Sequence, residues 1–317
     1  MHMADSLLSP AVGTAMYAVS AAALAFSAAK VKKDELCEKK VPIIGVMGAF
    51  VFAAQMINFT IPATGSSGHI GGGILLAAML GPFPALLSVS VVLIIQCLFF
   101  ADGGLLALGC NIFNLGVVPC LIAYPLLFRP FFKNGITNGR ITAASIIAVV
   151  VGLQLGAFSV VVETWFSGIT ALPFVPFLLL MQPIHLAIGI VEGIVTAAVL
   201  CFVYKMRPEI IESTFERTAI KSGVPTKSVL VLFVVITLIA AGVLSLFVSS
   251  HPDGLEWSVA KVAGTAKHEI KDFGIGTSIG GIAGGILTFV FAGISVFIIS
   301  LVKKKHNEKQ DTRALRS

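Results

Sequence analysis

The stretch Pro10-Ala11-Val12-Gly13-Thr14-Ala15-Met16-Tyr17-Ala18-Val19-Ser20-Ala21-Ala22-Ala23-Leu24-Ala25-Phe26-Ser27-Ala28-Ala29 carries no charge, and Lys30, Lys32 and Lys33 follow it at once. About twenty predominantly apolar residues, wound as a helix, match the hydrocarbon core of a bilayer. Pro10 suits a first helical turn, where its missing N–H costs nothing. Lysines directly after an apolar run mark the inner side, so the N-terminus is expected outside. Ser27-Ala28-Ala29 resembles a signal-peptidase site. A secretory signal, however, carries its positive charge ahead of the apolar run, and here only Asp5 precedes it.

The same pattern extends outward along the chain. Of 317 residues, 56% are hydrophobic and 12% charged, and the mean hydropathy is +0.97, which excludes an ordinary soluble domain. Lys39 and Lys40 complete the first inner loop, and a second span ends near Asn58. The Pro-, Thr-, Gly- and Ser-rich stretch Phe59 to His69 is then external, on the side of Met1. From Gly71 the apolar pattern is broken, at Gly81-Pro82-Phe83-Pro84 and again at Ala101-Asp102-Gly103-Gly104. Interrupted segments of this kind point to a binding site, and irregular backbone at that depth must be buried in protein. Further spans are expected at about 105–128, 141–162, 177–204, 229–248 and 275–302. The fold class is therefore all-α, a polytopic membrane helical bundle of about nine spans, N-out and C-in. Nineteen of the 22 Lys and Arg fall on the inner side in this layout, and only Lys261, Lys267 and Lys271 outside. That placement accounts for the net charge of +6 without any nucleic acid. Trp165 and Phe166 fit an interfacial belt. The five cysteines lie mostly in apolar runs without CxxC spacing and read as small hydrophobes.

Met1 and His2 share the outer side with His69. The α-amine of Met1, the deprotonated backbone nitrogen of His2 and the His2 Nδ1 close two adjoining chelate rings in one plane, and His69 offers a fourth nitrogen. A nitrogen square suits Ni(II) or Cu(II), and imidazole ligates in its neutral form. Gly68, Gly71, Gly72 and Gly73 allow close backbone approach around His69. The competing reading of Met1-His2 is a frayed terminus. Gly276, Gly280 and Gly284 form a doubled GxxxG, and Ala21, Ala25 and Ala29 a weaker stripe. Both suit packing against a neighbouring helix of this chain or against a partner subunit.

The opening Met1-His2-Met3-Ala4-Asp5-Ser6-Leu7-Leu8-Ser9-Pro10, the segment Gly68-His69-Ile70-Gly71-Gly72-Gly73, the run Ala101-Asp102-Gly103-Gly104-Leu105 to Gly109-Cys110-Asn111-Ile112-Phe113-Asn114, and Ile184-His185-Leu186-Ala187-Ile188-Gly189 with Glu192-Gly193 resemble the CbiM/NikM family. These are substrate-capturing membrane subunits of energy-coupling-factor transporters for nickel and cobalt. The likeness covers about residues 1–205. The remainder resembles a small companion subunit fused to it, and Pro252-Asp253-Gly254-Leu255-Glu256 carries that part's signature.

The resemblance implies a metal-capturing transmembrane domain of seven spans (1–205), a cytoplasmic linker (206–228), a two-span companion domain with an external loop (229–302) and a charged cytoplasmic tail (303–317). It implies Met1, His2 and His69 as metal ligands. Asp5, Asp102 and Asn111 are candidates for groups that orient the histidines, with capping or loop structure as the alternative. His185 and Glu192 lie seven residues apart on one face of a span, and ionisable residues at that depth face the interior. Helix packing, a polar path and docking of a coupling subunit all remain open for them.

No GxxxxGK[ST] occurs, so ATP is not bound through a P-loop in this chain. The resemblance supplies the energy through two cytoplasmic ATPases and a membrane coupling protein. No cofactor is expected, Ni(II) or Co(II) being the transported substrate. A flat nitrogen square favours nickel. Cobalt uptake for cobalamin synthesis is the alternative, and an ATPase-independent ion or vitamin carrier is the rival class. The His-Glu-x-x-His spacing of a zinc protease is absent, and the chain is read as a transporter subunit of the bacterial or archaeal cytoplasmic membrane, not an enzyme.

Overall fold

Ser9 starts the first long helix. Its hydroxyl accepts the Val12 N–H at 3.4 Å and Pro10 fills the first turn, so α1 runs Pro10–Lys32. This computed structural model describes residues 1–33, 35–216, 249–264 and 283–291, with positions 231, 234–235, 237–239 and 294, and only the backbone of 35–42. The order is α1, α2 (Glu35–Gln55), strands β1 (Phe59–Ile61) and β2 (Ser66–Gly68), α3 (Gly73–Leu80), α4 (Pro82–Phe100) and α5 (Leu108–Ile112). Then follow α6 (Asn138–Ser167), α7 (Phe174–Met206), α8 (Pro208–Glu216) and α9 (Gly254–Ala263). α5 continues without a break through a π-helical stretch, Phe113–Phe128, into a short 3-10 turn, Arg129–Phe132. The wider winding includes Pro119 and Pro125, which lack the N–H an α-helix requires.

Among the described residues, five helices are long and apolar enough to cross a membrane: α1, α4, Leu108–Phe132, α6 and α7. Within α2, Ile43–Gln55 is a shorter apolar helix. The chain is a mostly helical, multi-pass membrane protein. The expected spans at 229–248 and 275–302, the linker beyond Glu216 and the charged tail lie largely outside the described residues. One departure from an all-α bundle is the antiparallel pair β1–β2, with Phe59 opposite Gly68 and Ile61 opposite Ser66. Ala63 and Gly65 turn the chain between the strands with positive φ.

α1 buries Gly13, Ser20, Ser27 and Val31 and leaves Ala21, Ala25 and Ala29 exposed. Among the described residues the small-residue seam of α1 that packs within this chain is the heptad Gly13/Ser20/Ser27, where Ser20 donates its hydroxyl to the Gly109 carbonyl at 2.6 Å, and the alanine stripe faces away from it. α6 and α7 pack along each other. Gly189 and Gly193 sit against the Ile146–Val150 backbone, where an added Cβ would come within 3.2 and 2.8 Å of main-chain atoms. On their outer sides these helices expose Leu155, Phe158, Leu179, Ile190 and Ile194, an apolar surface suited to lipid. Of the glycine stripe, Gly284 lies against the Phe52 ring of α2 in the same chain. Gly276 and Gly280 fall outside the described residues.

The break after β2 is what positions the site. Residues 66–81 are all buried, although 69–72 form no helix or strand. Eight residues of α3 rise about 12 Å, well short of a hydrocarbon core. The main-chain groups left over are satisfied by side chains: Gln55 Nε2 donates to the Gly71 carbonyl at 2.7 Å, and the Gly72 N–H donates to Glu192 Oε1 at 2.9 Å. Gly72 caps α3 with φ of 74°, and a Cβ there would collide with Val51. At its far end α3 meets α8, where the Thr214 hydroxyl donates to the Met79 carbonyl at 3.0 Å.

Candidate metal centre

The first residues are folded into the bundle. Met1 and His2 are buried and Met3 is fully so. Asn111 clasps the main chain of Met3 on both sides: its Oδ1 accepts the Met3 N–H at 2.7 Å and its Nδ2 donates to the Met3 carbonyl at 3.2 Å. The Gly104 N–H adds a bond to the same carbonyl at 2.8 Å. Asp5, at a short 3-10 turn, accepts the Ala107 N–H at 3.0 Å. Met1 presses its side chain toward Gly156 of α6. Residues 1–5 are thus held by the segment 102–111 like an added strand.

This seating brings Met1, His2 and His69 together. The Met1 amine nitrogen lies 3.3 Å from His69 Nε2 and 2.7 Å from Asp253 Oδ2. The His2 and His69 rings stack, centroids 5.1 Å apart and planes 20° from parallel. His69 Nδ1 is 3.2 Å from the Ile70 carbonyl, an acceptor only, so Nδ1 carries the proton and Nε2 keeps its lone pair toward the amine. His2 Nδ1 faces Asp102 Oδ1 at 3.4 Å, while His2 Nε2 is buried without a hydrogen-bond partner among the described residues.

Electrostatics follow from the burial. Desolvation lowers the pKa of His2, with Asp102 pulling the other way and the amine reinforcing the drop. Desolvation, then the amine, then His2 bring His69 down to about 3. Burial alone would raise Asp253, but the amine and His69 outweigh it and hold the carboxyl below its usual range. Both imidazoles are therefore neutral near pH 7, in their ligating form, beside a charged carboxylate. Among the described residues no group of three His, Cys, Asp or Glu side chains gathers for a metal ion. Nitrogen donors at this point come from two imidazoles and the main chain.

Of the three residues expected to orient histidines, Asp102 touches one. Asp5 and Asn111 do not: Asp5 accepts the Ala107 N–H and Asn111 clasps the Met3 main chain, which fits the capping or loop alternative. Asp253 escaped the sequence reading. The Asp-x-x-Glu spacing announces a capping box, and α9 has one: Asp253 Oδ1 accepts the Glu256 N–H at 2.8 Å, and Glu256 Oε2 accepts the Asp253 N–H at 3.3 Å. That leaves Oδ2 for the amine. Nothing in the spacing says that this strand docks beside β2, where the Ser67 N–H donates to the Pro252 carbonyl at 2.7 Å and Ser67 bridges Asp253 in parallel. Trp257 Nε1 secures the contact by donating to the Thr64 carbonyl at 2.9 Å.

His185 and Glu192 share the buried face of α7, as their spacing requires. His185 lines a small cavity with Met1, His69 and Asp253, and Glu192 lines a second one that shares the walls Gly71, Leu115 and Leu153.

Comparison with known proteins adds an independent line. Residues 2–210 match the family model for a cobalt uptake substrate-specific transmembrane region, and residues 227–275 match a PDGLE domain. A protein of Archaeoglobus fulgidus named "Putative fused nickel transport protein NikMN" is 34% identical over 212 residues, 67% of this chain and 68% of its own length. The cobalt transport protein CbiM of Geobacter sulfurreducens is 27% identical over 306 residues, 92% of this chain and 84% of its own. A crystal structure of a transition metal transporter is 30% identical with a TM-score of 0.57, covering 69% of this chain and 100% of that one.

Proposed function

Because the chain belongs to the CbiM family of cobalt-uptake transmembrane components, we propose that it captures Ni(II) or Co(II) at its outer mouth for import across the membrane. The observation that carries this reading is the buried Met1 amine 3.3 Å from His69 Nε2, under a stacked His2 ring. The ligand set is the Met1 amine, the His2 backbone nitrogen and Nδ1, and His69 Nε2. Capture exchanges contacts: the amine leaves Asp253, the amine and the His2 main-chain N–H each lose a proton to solvent, and the His2 ring carries its proton on Nε2 so that Nδ1 leaves Asp102 for the ion. Asp102 and Asp253 then supply negative charge beside the cation. Nickel is preferred because four nitrogens in a plane suit it, and cobalt is the second reading, favoured by the family match.

The chain is placed N-out and C-in, with seven crossings in residues 1–205 and two in 229–302, joined by a cytoplasmic linker (206–228) and ending in a charged tail. The buried segment 71–80 serves as the third crossing. The companion unit braces the site from outside through Asp253. A coupling subunit and cytoplasmic ATPases drive the inward step, since the chain holds no P-loop of its own. Elemental analysis of the protein purified with its native start is expected to find one nickel per chain, displaceable by cobalt only at excess. A protein with an intact amine that retains neither ion overturns the reading. One residue added ahead of Met1 is expected to abolish retention with expression unchanged, and retained metal would remove the amine from the ligand set.

A further inference from the structure

Three buried polar atoms beneath the outer site have no hydrogen-bond partner among the described residues: His185 Nε2, Glu192 Oε2 and Asn114 Oδ1. Their residues are 1%, 4% and 2% exposed. Buried polar atoms are normally paired, so each exception asks for a reason. They line the two adjoining cavities, His185 in the upper one and Glu192 and Asn114 in the lower.

The donor state of each is fixed by its other half. His185 Nδ1 lies 2.8 Å from the Met181 carbonyl, which only accepts, so Nδ1 bears the proton and Nε2 a lone pair. A Cβ on Gly254, the residue after Asp253, would lie 3.3 Å from that Nε2, which puts the lone pair directly under the companion loop. Glu192 Oε1 is engaged by the Gly72 N–H, leaving Oε2 bare. Asn114 Nδ2 donates to Glu163 Oε2 at 2.8 Å, leaving its carbonyl oxygen bare. Apart from Met1, His69 and Asp253 of the outer site, the side chains lining the cavities, such as Leu115, Leu153 and Pro119, offer a cation nothing.

Resting on the metal-uptake reading above, we propose that His185 and Glu192 form an inner transfer station through which the captured divalent cation moves inward. His185 Nε2 takes the ion from the outer nitrogens by ligand exchange. Glu192 Oε2 and Asn114 Oδ1 take it next, with the carboxylate offsetting part of its charge at membrane depth. As the ion leaves, the Met1 amine and the His2 main-chain nitrogen take back from solvent the protons released on capture. A purely structural Glu192, needed only to hold the Gly72 N–H, would be replaced by Gln without loss.

The test uses the complete transporter in cells for uptake of radioactive nickel and the purified chain for metal retention. Four variants are compared: H185L, H185C, E192Q and E192D. All four are expected to retain nickel as the parent does, because the outer donors are untouched. Uptake is expected to fall at least about tenfold in H185L and E192Q, a barrier increase of about 1.4 kcal/mol. H185C and E192D, which keep a ligating atom, are expected to recover a substantial share. The proposal is overturned if H185L and E192Q import normally, if H185L imports as well as H185C, or if the purified H185L or E192Q protein loses its metal. A parent protein that neither retains nor imports nickel would sink the metal-uptake reading itself, and this proposal with it.

Discussion

The outer cluster and the inner pair draw on the same residue types, imidazole and carboxylate, and engage them differently. Outside, His69 Nε2 and the Met1 amine face each other, and Asp253 and Asp102 stand beside the amine and the His2 ring. Inside, His185 and Glu192 each spend one atom on the main chain and leave one bare. Several donors converging on one point hold an ion; single donors spaced along a wall hold it weakly. Conduction needs both, binding strong enough to enter and weak enough to leave. The proposed division follows this difference, with retention at the outer cluster and passage at the inner pair.

The sharpest way to break that division is to exchange the symptoms. His69→Ala is expected to weaken nickel retention by at least about 100-fold, roughly 2.7 kcal/mol, measured by elemental analysis after gel filtration, and to abolish uptake. Retention by His69→Ala together with loss in E192Q would reverse the two roles.

Asp253→Asn is the next largest. Asn caps a helix about as well as Asp, so α9 should persist, but the amine loses its charged partner. Removing one member of a buried pair costs on the order of 3 kcal/mol. The expected outcome is a lower melting temperature, with the His2 and Met3 amides exchanging hydrogen faster while α6 and α7 stay protected. Unchanged protection of these two amides would mean that the companion loop does not hold the terminus.

Much of the fold was legible because lipid imposes a simple rule. Runs such as Pro10–Ala29 and 177–204 have no alternative to a helix, and α1 and α7 enclose them. His185 and Glu192 on one face of α7 followed from spacing alone. The glycine-rich segment around His69 advertised a broken crossing, but not how its backbone would be satisfied. Gln55 and Glu192 do that from helices distant in sequence, and no local pattern encodes such a pairing. Asn111 was noticed for the wrong task, since an amide that clasps a peptide and one that orients an imidazole look alike in a sequence. Asp253 was visible only as part of the signature Pro252-Asp253-Gly254-Leu255-Glu256. Its second oxygen reaches the amine only because Pro252 and Asp253 add beside β2, 252 residues from the terminus they hold, a register that depends on the folded partner.

A smaller effect sharpens how the terminus is held. Asn111→Ala strips the Met3 N–H and part of the demand of its carbonyl, which Gly104 still serves. One unpaired buried donor costs about 1–3 kcal/mol. Nickel retention is expected to fall about tenfold, this being about 1.4 kcal/mol, and Asn111→Asp to recover little because the Met3 carbonyl then meets an acceptor. Equal retention by Asn111→Ala and the parent would show that Asp253 alone seats the chain.

A separate effect is on stability against pH in the metal-free protein. His69 is held down to about 3 in the folded chain, against about 6.5 when unfolded. Between those values the unfolded state binds a proton that the folded state refuses, so stability falls as pH falls below about 6.5, with a slope of up to about 1.4 kcal/mol per pH unit. His2 shifts in the same direction and adds to the slope. Asp253, lowered in the folded chain, loses its contribution only as pH falls through the carboxylate range, so it does not mask the effect above about pH 5. Melting temperatures from pH 7.5 to 5 should therefore decline for the parent and less steeply for His69→Ala. If the two proteins decline in parallel, the His69 ring is reached by water and protons in the folded state, and the outer cluster is not a closed site of neutral imidazoles.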